Sequence, residues 1–226
     1  MLKASKRMLT EHQVIPTVNK YRTILVGDPY CGKSSYIQLL ARKEKESGAP
    51  ILISDDQNEF EFSVRSSTTN RAIFIVYDTA NQEKFRSLTQ SYYRRVECAL
   101  LLFNKHNEDS LLNLNKWYCD IMNYSKNREK NFSIVIVCLI TNDANDLNEE
   151  SKVKISSIVE NFQKEKEFVI GSCEIDLNKP NNLKEPFEII HEHIQDSKFL
   201  ISESQLIYNS NFYIKLEKNS KSKKCC

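Results

Sequence analysis

Gly27-Asp28-Pro29-Tyr30-Cys31-Gly32-Lys33-Ser34 is the stretch whose reading decides the fold. It fits the pattern G-x-x-x-x-G-K-[ST], a loop whose backbone cradles the phosphates of a nucleotide. The chain has only 4 Gly in 226 residues, and Gly27 and Gly32 hold the two fixed glycine positions. Tyr21–Val26 (Y-R-T-I-L-V) reads as a buried strand entering the loop, and Ser34–Ala41 as a helix leaving it. Strand, loop and helix form the setting the pattern requires. Backbone N–H groups around Tyr30, Cys31, Gly32, Lys33, Ser34 and Ser35 converge on one concavity, and the helix adds the positive end of its dipole. Pro29 has no N–H to contribute, and Tyr30 brings bulk where a small side chain fits more easily. Lys33 reaches the outer phosphates, and the Ser34 hydroxyl suits Mg²⁺.

The chain as a whole supports an α/β domain. A length of 226 residues suits one such domain with short extensions, and 40% hydrophobic with 27% charged residues is ordinary globular composition. A net charge of +2 gives no field that would draw nucleic acid. The longest apolar run, Ile134–Ile140, is too short to cross a bilayer. Residues 1–20 lack the apolar core of a secretory signal and read as an N-terminal extension. There are 7 Cys, an odd number, and five of them are scattered through apparent helices, strands and loops, the usage of a reducing cytosol.

Strand-like and helix-like segments alternate along the chain. Glu59–Ser66 alternates Phe60, Phe62 and Val64 with polar residues, as a half-buried strand does. Ser67–Asn70 reads as a turn and Ala72–Tyr77 as a buried strand, which together make a hairpin. Cys98–Phe103 and Ile134–Ile140 are continuous apolar strands, and Phe168–Gly171 is a short last one. Helical patterns cover Glu83–Arg94, Ser110–Tyr124, Glu149–Glu165 and Leu183–Gln195, with Leu111, Leu112, Leu114, Trp117, Ile121 and Met122 on a core-facing stripe. His191 and His193 flank Glu192 without metal-binding spacing and read as solvent-facing helix residues. The expectation is a mostly parallel central sheet with one antiparallel edge strand and helices on both faces, its site at the carboxyl ends of the strands.

Asp78-Thr79-Ala80-Asn81-Gln82-Glu83-Lys84-Phe85-Arg86-Ser87-Leu88-Thr89, continued by Tyr92-Tyr93-Arg94, closely resembles the D-T-A-G-Q-E-R-F-R-S-L-T and Y-Y-R segments of Rab GTPases. Ser110, Trp117 and Phe187 are similarly spaced, and the final Cys225-Cys226 resembles the twin cysteine that Rabs have prenylated. The resemblance implies a P-loop NTPase G domain over residues 21–197, with residues 198–226 as a lipid-anchored tail. It implies GTP and GDP as ligands with Mg²⁺, slow GTP hydrolysis, and a switch in vesicle traffic. It also implies exchange factors, GTPase-activating proteins and effectors as partners, and a place on the cytoplasmic face of an intracellular membrane with a cytosolic pool. By the same resemblance Asp78 holds Mg²⁺ through water and Gln82 orients the attacking water. Asn142, Asp143, Asn145, Ser172 and Cys173 face the base. Lys218, Lys221, Lys223 and Lys224 before the terminal Cys supply the second signal that stable membrane attachment needs.

Four positions depart from the Rab pattern. Asn81 stands where the family has a Gly whose N–H meets the γ-phosphate. The switch-I Thr is missing: Asp55 falls at its position, and Ser54 beside it supplies a hydroxyl for the metal. Asn142-Asp143-Ala144-Asn145 replaces N-K-x-D, so an amide stands where a carboxylate accepts two hydrogen bonds from guanine. With charged hydrogen bonds contributing about 1.5–3 kcal/mol, the loss amounts to about a hundredfold in affinity, unless a one-residue bulge brings Asp146 to the base. Finally, Ser172-Cys173-Glu174 carries Glu where the family has Lys. These departures leave two rivals open: a pseudo-GTPase that keeps the fold and tail as an interaction module, and a P-loop enzyme of another class such as a small kinase. The second leaves Asp78–Thr89 unexplained.

Overall fold

The computed structural model describes residues 18–55, 58–65, 71–79, 92–125, 132–141 and 147–196. The strands are β1 (Asn19–Gly27), β2 (Ile51–Ile53), β3 (Glu59–Arg65), β4 (Arg71–Asp78), β5 (Cys98–Asn104), β6 (Ser133–Ile140) and β7 (Val169–Asp176). The helices are α1 (Lys33–Glu46), α2 (Glu108–Leu112), α3 (Leu114–Tyr124), α4 (Glu149–Glu165) and α5, residues 185–196. One sheet of seven strands runs in the order β2-β3-β4-β1-β5-β6-β7. Pairings from β4 through β1, β5 and β6 to β7 are parallel, while β3 runs antiparallel to both β4 and β2. The expected sheet is present, with β2 added outside the antiparallel strand.

The patterns explain the layers. β5 and β6 are apolar at nearly every position because helices cover both their faces. β3 alternates, burying Phe60, Phe62 and Val64 and turning Glu59, Glu61 and Ser63 outward. On one side α1 and α5 pack Tyr36, Ile37, Leu40, Phe187 and Ile190 against Leu25, Phe74, Leu100 and Val137. On the other, Leu111, Leu114 and Ile121 cover Ile24, Val26, Leu101 and Ile136, while Leu112, expected on the same stripe, faces solvent at the end of α2. Phe187 meets Phe62 edge-on at a centroid distance of 4.9 Å and Phe74 at 5.1 Å, sealing the first layer.

Several expectations need correction. β7 is longer than Phe168–Gly171: it starts at Val169 and continues to Asp176, because β6 goes on pairing with it as far as Ile140↔Asp176. Ser110–Tyr124 is two helices, parted at Asn113, whose N–H closes α2 on Asp109 while its carbonyl begins α3. His193 is exposed, but His191 is fully buried, its ring 6.4 Å from that of Tyr21 beneath α5. The turn Ser67–Asn70 and nearly all of the helix Glu83–Arg94 lie outside the described residues, as do residues 1–17 and 197–226.

Candidate nucleotide site

The phosphate loop fills the gap between the end of β1 and the start of α1, at the carboxyl edge of the sheet. Its two glycines are there for space. A Cβ on Gly27 would lie 2.2 Å from the carbonyl oxygen of Leu102 on the neighbouring strand. Gly32 has φ 108°, and a Cβ there would lie 2.9 Å from Thr141 Cγ2 and 3.1 Å from Leu139 Cδ1. Tyr30 also takes the left-handed conformation, with φ 62°, and the residue is 97% exposed. For a residue with a Cβ that conformation costs about 1–2 kcal/mol. Pro29 and Tyr30 together form the outer lip of the loop, and Cys31 is its buried inner side, Sγ facing the Leu102 carbonyl at 3.7 Å.

Lys33 turns back across the loop. Its ammonium donates to the carbonyl oxygens of Gly27 at 2.9 Å and Asp28 at 2.7 Å, with the Cys31 sulfur at 3.9 Å. Ser34 and Ser35 follow on the first turn of α1. That turn carries no acidic residue and no side-chain cap. By contrast, α2 and α4 begin with Asn caps and pairs of acidic residues that neutralise their N-termini. The start of α3 lacks both as well, but only at α1 does the bare N-terminus follow the phosphate-loop pattern, the setting that favours an anion.

Asp78 ends β4, level with Leu25 of β1 and two residues short of Gly27, and it is buried. The next residue, Thr79, donates its hydroxyl to the Leu25 carbonyl at 2.7 Å, locking the strand end beside the loop. Among the described residues no group of three or more His, Cys, Asp or Glu could hold a metal. The donors present are of the oxygen type Mg²⁺ prefers, one or two from protein with phosphates completing the shell. Ser34 and Asp78 fit that chemistry. Ser54 is placed differently: its hydroxyl accepts from the Glu59 N–H at 3.0 Å, closing the turn between β2 and β3. Asp55 and Ser54 line a cavity with Gln38, Arg42 and Lys45 from the later turns of α1. Asn81, Gln82, Asn142, Asp143, Asn145 and Asp146 lie outside the described residues.

Ser172 and Cys173 do not sit at the loop end of β7. They pair with Ile136 and Val137 in mid-strand, and Cys173 packs against the α1–α5 core, where burial and then the Glu185 carboxylate push its thiol pKa well up. Asp176, Leu177 and Asn178 occupy the carboxyl end instead. Leu177 Cδ1 would lie 3.8 Å from a Cβ on Gly32, and the Leu177 N–H donates to the Ile140 carbonyl at 2.9 Å. Asp176 Oδ1 accepts the Asn178 N–H at 2.8 Å. The length of β7 is the missing signal: continued to its end at Asp176, the strand brings Leu177 beside the phosphate-loop residue Gly32.

Sequence patterning also assigned Trp117 only to the core stripe. The structure gives it a second task. Its indole N–H donates to Asp28 Oδ1 at 2.7 Å, and Asn113 Nδ2 donates to Asp28 Oδ2 at 2.8 Å. A buried-side indole N–H needs an acceptor, and a carboxylate in the phosphate loop is the one it finds.

Fold and loop together define a P-loop nucleotide-binding domain of the G-domain type. The profile of the Ras family matches residues 22–196, and the chain belongs to that family. It is similar to Rab-26 of Drosophila melanogaster, 31% identical over 146 residues that cover 61% of this chain and 33% of that protein. Rab-2B of Dictyostelium discoideum is 34% identical over 107 residues, covering 46% of this chain and 50% of that protein. The Ras and EF-hand domain-containing protein of Danio rerio is 34% identical over 122 residues, 54% of this chain and 17% of that protein. The chain thus spans half the length or less of these curated relatives.

Proposed function

We propose that the chain is a Rab-like small GTPase that binds GTP and GDP with Mg²⁺ and acts as a membrane-attached switch in vesicle-mediated transport. The observation that carries this reading is the convergence of the Gly27–Ser34 loop, the acid-free start of α1 and buried Asp78 at one edge of the sheet. Lys33 and the loop amides bind the phosphates, and Ser34 with Asp78 holds the metal, which when bound neutralises charge on the outer phosphates. Gln82 orients water for a slow hydrolysis, and Asn81 flanks the γ-phosphate. Asn142, Asp143 and Asn145 read the base, joined by Asp176–Asn178 in place of Ser172 and Cys173. Cys225 and Cys226 carry the lipid that holds the protein on the cytoplasmic face of an intracellular membrane. An exchange factor, a GTPase-activating protein and effectors complete the cycle by resemblance to Rabs.

A second reading, the pseudo-GTPase tethered to a membrane as an interaction module, draws on one observation. The Ser54 hydroxyl, the candidate stand-in for the switch-I Thr, is engaged by the Glu59 N–H in the β2–β3 turn. Single-turnover GTP hydrolysis with Mg²⁺ separates the two. Release of phosphate that Gln82→Ala abolishes supports the GTPase. Tight GTP binding without any phosphate release supports the module.

A further inference from the structure

We propose that Trp117 and Asn113 are positioning residues that act through Asp28 to hold the phosphate loop in the shape that receives a nucleotide. The inference rests on the nucleotide-site reading above and adds to it two side chains from the α2–α3 junction.

Asp28 faces two ways. Its main-chain carbonyl accepts the Lys33 ammonium at 2.7 Å and the Cys31 N–H at 3.3 Å, so it shapes the interior of the loop. Its carboxylate points the other way and takes the Trp117 indole N–H at 2.7 Å and the Asn113 amide at 2.8 Å, one donor to each oxygen. Hydrogen bonds to an ionised acceptor are stronger than neutral ones, and two of them fix the carboxylate plane.

The donors are themselves held. Asn113 stands at the break between α2 and α3, and Trp117 one turn later, so both side chains leave the same face. The Trp117 ring packs against the layer under α3, and the Lys116 ammonium lies 5.5 Å from its centroid. The helix is anchored to the sheet through Leu114 and Ile121. The second residue of an otherwise glycine- and proline-bounded loop is therefore pinned to a rigid element. This matters because the tip at Tyr30 takes a left-handed backbone and carries its side chain in solvent, where it does not brace the loop.

The test uses the full chain loaded with a fluorescent GDP analogue and Mg²⁺. Trp117→Phe keeps the ring in the core and removes only the donor. Asp28→Ala removes the acceptor. Each single variant is expected to speed nucleotide dissociation by about tenfold or more, the loss of a hydrogen bond to a charged group. The double variant is expected to be no faster than the faster single, because both changes release the same anchor. Trp117→Phe is expected to keep the wild-type melting temperature within a few degrees, which a merely structural role would not predict alongside faster release. Unchanged dissociation in Trp117→Phe, or effects that multiply in the double variant, overturns the proposal. A wild type that binds no GDP refutes the nucleotide site instead. Hydrogen exchange of residues 27–35 then decides the anchor: faster exchange in Trp117→Phe supports it, and equal exchange overturns it.

Discussion

Lys33 donates its ammonium to the carbonyl oxygen of Gly27 at 2.9 Å, closing the phosphate loop over its own length. The residue that opens α1 thus grips the residue that ends β1, and the loop between them is held at both ends. Carbonyl oxygens carry partial charge, and a phosphate carries full charge. The ammonium therefore has a stronger partner available in any nucleotide placed at the start of α1.

Gly32→Ala places a methyl 2.9 Å from Thr141 Cγ2 on a backbone with φ 108°. The left-handed conformation alone costs about 1–2 kcal/mol with a Cβ, and the contact adds to it. GDP titration of the variant is expected to show affinity reduced at least tenfold, with a lowered melting temperature. Wild-type affinity would mean that the loop does not adopt this shape when it binds.

Phe187 is fully buried between Phe62 and Phe74. Truncation to Ala leaves a cavity in the layer that joins α5 to the sheet. Denaturant unfolding is expected to give a loss of about 3–5 kcal/mol. A loss below about 1 kcal/mol, the level of a tolerated core swap, would show that α5 is not a structural part of the domain.

Asn145→Asp tests the reading of the base. A carboxylate accepts from both N–H groups on the guanine edge, whereas an amide turns a donor toward one of them. The substitution is expected to strengthen GDP binding tenfold or more, about 1.4 kcal/mol. Titration of GDP and XDP against Asn145→Asp and Asp146→Ala is decisive. No change in the first with lost binding in the second would make Asp146 the base reader.

The tail is tested by replacing Cys225 and Cys226 together with Ser. One lipid chain binds a bilayer only marginally, and basic residues such as Lys221, Lys223 and Lys224 strengthen it. Membrane fractionation is expected to move the double variant to the soluble pool. Unchanged pelleting would place the attachment elsewhere.

Much of this architecture can be read from the residues, and the parts that cannot share physical causes. α4 was bounded correctly at Glu149–Glu165 because Asn148 caps it, two acids open it and its apolar stripe has helical period. β5 and β6 stood out as apolar runs because both faces are covered. β2 escaped notice because Ile51–Ile53 is three residues long, half exposed, and depends on its pairing with β3. The end of β7 is hidden in the sequence because Gly171 and the polar residues after it look like a loop. There, Gly171 instead lets α5 approach, with Ile189 Cγ2 3.0 Å from where a Cβ would stand. The short strand reading puts Ser172 and Cys173 at a strand end, whereas the structure has them in mid-strand with Asp176 at the end. The Asp28–Trp117 contact spans 89 residues of sequence, and no local pattern announces it.

The central claim is that the loop between Gly27 and Ser34 holds a guanine nucleotide. Its most direct test is the nucleotide released when the purified chain is denatured, identified by chromatography and compared with Lys33→Ala. The account predicts about one GDP or GTP per wild-type chain and none from the variant, because Lys33 is the cation the loop places at the outer phosphates. A wild-type chain that releases no guanine nucleotide and gains none when incubated with GDP and Mg²⁺ would contradict it.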